Sequence, residues 1–83
     1  MRWYGPFDAQ RANLGAVTVI LDWHVSWHAK GDDPWTLDVV FAGVRTPLFG
    51  GEHFRDEQQA KDAAQAWAIQ AIREMTDDLY KEN

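Results

Sequence analysis

The sequence predicts an α+β fold: a three-stranded antiparallel meander packed against one long C-terminal α-helix. Three observations lead to it. Residues 17 to 28 alternate apolar and polar almost perfectly, residues 35 to 42 alternate again after a turn, and residues 56 to 80 repeat at helical spacing. Alternation puts every second side chain on one sheet face, and a 3.6-residue repeat gives a helix one apolar stripe.

In the first alternating stretch, Val17, Val19, Leu21, Trp23, Val25 and Trp27 fall on one face. Thr18, Ile20, Asp22, His24, Ser26 and His28 fall on the other. A strand of that length is well beyond the usual one, so a bend or bulge near Asp22 is expected. Ala29 to Pro34, containing Gly31-Asp32-Asp33-Pro34, reads as a hairpin connection. Trp35, Leu37, Val39 and Phe41 then point inward, with Thr36, Asp38 and Val40 outward. Gly43 marks a second turn, and Arg45 to Phe49 reads as a third strand. Pro47 has no N–H to give a ladder, which places that strand at an edge or turns its proline outward.

Gly50-Gly51 ends the predicted sheet. Asp56 followed by Gln59 resembles a capping box at a helix start. Ala60, Ala63, Ala64, Trp67, Ala68, Ala71, Ile72, Met75 and Leu79 make the helical stripe. Its alanines allow close approach to a sheet, with Trp67 as the main anchor. Residues 1 to 15 read as an irregular segment, broken by Gly5-Pro6 and by a turn at Asn13 and Gly15. Its Trp3, Tyr4, Phe7 and Leu14 are apolar enough to pack on the sheet or on a second subunit. The chain of 83 residues is thus a single domain over 1–83: the N-terminal segment 1–15, a sheet over 16–49 and a helix over 55–80.

Composition narrows the function classes. There are no cysteines, which excludes disulfides, thiolate metal sites and cysteine nucleophiles. A small domain with neither a disulfide nor a metal to staple it is expected to be cytoplasmic. Met1 to Pro6 lacks the apolar core of a secretory signal, and no run approaches the roughly twenty apolar residues that span a bilayer. The net charge of −5 disfavours nucleic acid and anionic lipid as partners.

No cofactor motif is present. Gly50 and Gly51 are not followed by the Gly-Lys-Ser/Thr of a phosphate loop. On a continuous strand, His24 and His28 would lie about 13 Å apart, too far to share a metal ion. His53 falls in a predicted loop, so no metal ligands are expected. If Trp27 pairs with Trp35, His24 falls opposite Asp38 as an outer-face charge pair. Ser26 lies about 7 Å from either neighbouring histidine on that face, too far for a nucleophile and its base. The expectation is therefore a non-enzymatic chain.

The order strand–strand–strand–helix, with Gly50-Gly51 and then Ala60-Lys61-Asp62-Ala63-Ala64, resembles the C-terminal part of a double-stranded-RNA-binding domain over roughly residues 17 to 75. The resemblance implies the fold shape. It does not carry the activity, because Asp56, Glu57 and Gln58 stand where that family places phosphate-gripping lysines. The small size, the Asp32-Asp33 hairpin and the acidic helix also resemble small acidic phage and mobile-element proteins of the anti-CRISPR type. From residue 56 onward seven acids oppose three bases. That resemblance implies an inhibitor that occludes a basic nucleic-acid-binding surface of a host complex. The expected partner-binding residues are His24, Asp32, Asp33, Trp35 and Asp38 on the hairpin, then Asp77 and Asp78 on the helix. Trp27 and Trp35 at the hairpin tip are expected either to form an exposed anchor or to lie under the N-terminal segment. The competing reading is a homo-oligomeric structural or accessory protein, a homodimer built through the long first strand or the aromatic N-terminus.

Overall fold

A computed structural model describes the backbone of residues 1–81 and the side chains of residues 1–71. The fold is α+β, an antiparallel sheet with one long C-terminal helix on one face. The sheet has five strands, not three: β1 (Ala9–Leu14), β2 (Val17–Trp23), β3 (Trp35–Phe41), β4 (Val44–Pro47) and the two-residue β5 (His53–Phe54). The order is β1-β2-β3-β4, with β5 following β4 along the same edge of β3. A short helix α1 (Val25–Ala29) lies between β2 and β3, and α2 (Glu57–Lys81) follows the sheet.

Three expectations change. The N-terminal segment is not irregular throughout, because β1 pairs with β2 along its whole length, Leu14 opposite Val17 and Ala9 opposite Asp22. Its alternation of Gln10, Ala12 and Leu14 against Ala9, Arg11 and Asn13 is hidden by the small and polar residues in it. The first long strand stops at Trp23, and the chain turns into α1. Residues 24 to 28 alternate in sequence, but five residues are too few to separate a strand from one helical turn. The third strand also ends earlier than expected, at Pro47, and a 3₁₀ turn (Leu48–Gly51) brings β5 back to β3. Phe49 and Gly50 both take positive φ in that turn. Gly50-Gly51 therefore bends the chain within the sheet and does not end it. Pro47 does stand on an edge strand, as its missing donor requires.

The helix-facing side of the sheet forms the core. Val19, Leu21, Trp35, Leu37, Leu48 and Phe54 pack against Ala60 and Ala64, with Trp67 partly buried beside them. The alanines do what their size suggests: Ala60 and Ala64 lie flush on the sheet with no exposed surface. Gln10 is the one polar residue buried among these. Its Nε2 donates to the Phe7 carbonyl at 3.1 Å and to Glu57 Oε1 at 2.8 Å, which fastens the start of α2 to β1. The expected Asp56–Gln59 capping box is replaced by a bond one residue earlier, in which Gln59 Oε1 accepts from the backbone N–H of Arg55 at 3.2 Å.

Candidate functional site

The cross-strand register places Trp23 opposite Trp35 and Ile20 opposite Asp38. The expected Trp27–Trp35 and His24–Asp38 pairs do not form. Eleven residues, 24 to 34, remain to connect β2 and β3. They fold as α1 and a turn held by Lys30 N–H to the Trp27 carbonyl and Asp32 N–H to the same carbonyl, at 3.1 and 3.0 Å. The His24 N–H donates to the Pro34 carbonyl at 2.9 Å and closes the base of the loop.

This arrangement gathers all three histidines at one end of the molecule. His24 Nε2 lies 2.8 Å from Thr36 Oγ1. Thr36 pairs in register with His53 on β5, so the His24 and His53 rings come to 6.4 Å between centroids. The His53 Nδ1–H donates to the Asp33 carbonyl at 3.1 Å. That bond orients the ring, and Trp27 stacks on it at 4.1 Å with planes 20° apart. On the other side of α1, His28 lies against Trp23 at 5.3 Å. Sequence reasoning missed the approach of His53. The signal available was the His53-Phe54 pair after the double glycine, too short to read as a strand.

The aromatic N-terminus settles what covers the tryptophans. Phe7 contacts Trp23 at 5.5 Å and meets Trp35 edge-on at 5.2 Å. Trp35 is 5% exposed, so it is a core residue and not a partner contact. Trp27 is 42% exposed, on the side of the sheet away from the helix core. Val25, Phe7 and Phe49 are exposed at the same end of the sheet. Sequence reasoning placed Trp27 on the core face, and the turn into α1 is what brings it out.

The acids divide into tied and free. Asp38 is held by Arg45 on the outer sheet face, and the same guanidinium reaches Asp22. The hydrogen bond that Arg45 donates to Asp38, then that to Asp22, raises the Arg45 pKa against the opposing effect of burial. Asp33 Oδ1 lies 3.7 Å from Arg55 Nε. Asp32 is exposed in the turn after α1, and Glu52 is exposed beside His53. Asp77 and Asp78 lie outside the residues whose side chains are described. Of the seven expected contact residues, the fold therefore brings His24, Asp32 and Asp33 to one end, leaves Asp38 ion-paired on the outer face, and buries Trp35.

Among the described residues, no group of three His, Cys, Asp or Glu side chains is placed to hold a metal ion. A shallow depression lined by Arg2, Tyr4 and Asn13 lies along the β1 edge, where Tyr4 pairs with Arg11. Asn13 Oδ1 there already accepts from Tyr4 Oη and Thr18 Oγ1, at 3.2 and 3.0 Å. No described helix is long and apolar enough to cross a membrane. Comparison with protein-family models, curated proteins and solved structures gives no match.

Proposed function

We propose that this chain is a non-enzymatic protein-binding module that meets a basic protein surface with its α1 end. The observation that supports this most is Trp27. A large aromatic side chain is left 42% exposed while its ring is braced against His53, itself fixed to the Asp33 carbonyl. An anchor held rigid before binding loses little side-chain entropy on contact, and tryptophans in such positions dominate interface energetics. Val25 and Phe7 are also exposed at this end of the molecule, and Asp32 and Glu52 supply negative charge there. Rim carboxylates steer a basic partner and set its orientation more than they set affinity. Occlusion of a nucleic-acid-binding surface is the form this takes if the partner's basic patch is its nucleic-acid site.

A photo-crosslinking residue at position 25 identifies the partner by mass spectrometry, and calorimetry with that purified partner tests the reading. Trp27→Ala is expected to weaken binding by about thirtyfold or more, the loss typical of an anchor residue. Asp32→Lys combined with Asp33→Lys is expected to slow association, most strongly at low salt. Unchanged affinity in the Trp27 variant, with the fold retained, removes the α1 end as the contact surface. Undiminished binding and rate in the double lysine variant removes the basic partner.

A further inference from the structure

β1 is an edge strand, and its outer side is only partly filled. Alternate residues of an antiparallel strand turn both backbone groups to the same neighbour. Arg11 turns its pair away from β2: its N–H donates to the Tyr4 carbonyl at 2.8 Å, and its carbonyl accepts from the Tyr4 N–H at 2.9 Å. Asn13, two residues on, turns its N–H and carbonyl to the same side, and neither has a partner among the described residues. Arg2 would stand opposite Asn13 if the Tyr4–Arg11 pairing ran on, but that bridge is an isolated one. Met1 and Trp3 instead pack on the core beside α2. The Met1 nitrogen donates to Gln65 Oε1 at 3.0 Å, and Lys61 Nζ lies 5.8 Å from the centre of the Trp3 ring. Arg2, Tyr4 and Asn13 line a depression of about 460 Å³, so open space lies where the pairing stops.

The charge around this space is one-sided. Arg45, Arg55 and Lys61 each have a carboxylate within ion-pair reach. Arg2 is exposed and has none among the described residues, in a chain with 13 acids to 8 bases. No acid occurs from Ala9 to Leu21. The Asn13 side chain is fixed, since its Oδ1 accepts from both Tyr4 Oη and Thr18 Oγ1.

The backbone pair of Asn13 suits an extended peptide, which both donates and accepts, better than a bare anion, which only accepts. A strand added at Asn13 has to stop there, because Tyr4 already fills the next place along the edge. A chain end is therefore what fits, and charge decides which end. An N-terminal ammonium would be repelled by Arg2, whereas a guanidinium takes a carboxylate in two parallel bonds. We propose that the β1 edge captures the C-terminus of an extended partner peptide. The peptide runs antiparallel to β1. Its last residue donates its N–H to the Asn13 carbonyl, one carboxylate oxygen accepts from the Asn13 N–H, and Arg2 holds the carboxylate. The site uses neither Trp27 nor α1, so it stands or falls apart from the binding function proposed above.

A synthetic library of random heptapeptides with free C-termini is the probe, selected on the full chain and followed by titration of the retained peptides. These are expected to lose about tenfold or more in affinity on C-terminal amidation, and as much against Arg2→Gln. The Asn13 amide resonance is expected to shift on binding, and the Trp27→Ala chain to bind them as the native chain does. A library from which nothing is retained overturns the inference. So do peptides that bind equally well when amidated, which would be held by an acidic side chain or by apolar contact, and peptides that leave the Asn13 amide unmoved. Acetate that matches the peptides in affinity reduces the site to one for any carboxylate and overturns the strand bridge. Should Arg2→Gln fail to fold, amidation decides alone: a tenfold loss supports the capture, and no loss overturns it.

Discussion

Arg45 touches two strands other than its own. From β4 its guanidinium reaches Asp38 on β3 and Asp22 on β2, so one cation ties three strands on the face opposite the helix. The site is half open to solvent, where ion pairs are weak and salt-sensitive. Its worth comes from the network: without Arg45, Asp22 and Asp38 share one sheet face without the cation that bridges them. Arg45→Met is expected to lower unfolding free energy by about 1 kcal/mol in low salt, with most of that loss gone in concentrated salt. Urea titration at both ionic strengths measures it. An equal loss at both would mean that the stem's packing, and not the charge, is what matters.

At the scale of elements, the attachment of α2 depends on its first turn. Glu57 accepts from Gln10 and pairs with Lys61 at 2.9 Å. The hydrogen bond from Gln10, then that from Lys61, holds the Glu57 carboxyl below its ordinary value of 4.5. A carboxyl depressed in the folded state contributes stability that is fully present above its unfolded pKa and lost as pH falls through the folded one. The stability gap between the native chain and Glu57→Gln is therefore expected to be constant from neutral pH down to about 5 and to shrink in acid. Denaturation at a series of pH values shows this, and a gap that widens in acid would reverse the assignment.

These elements also show what was legible in the sequence. The helix and the second alternating stretch were, because a sustained period over many residues has few structural solutions. The edge position of Pro47 was legible from one missing donor. β1 was not, because its inward face is Gln10, Ala12 and Leu14, and only pairing with β2 makes a half-polar run a strand. The switch at Trp23 was not, because the Phe7 clasp that completes Trp23 and Trp35 comes from a segment that looked irregular. Of the site, the acids and His24 could be listed from sequence. The stacking of Trp27 on His53 depends on a register that only the three-dimensional pairing defines.

At the scale of the whole molecule, the radius of gyration is 14.2 Å, above the roughly 12 Å of a compact domain this size. The excess is length, 53 Å along one axis. A body so drawn out meets a partner at α1 with the narrow cross-section of a rod, 21 by 19 Å, so the contact proposed there would be made end-on and would leave the flanks of the sheet and most of α2 clear of it.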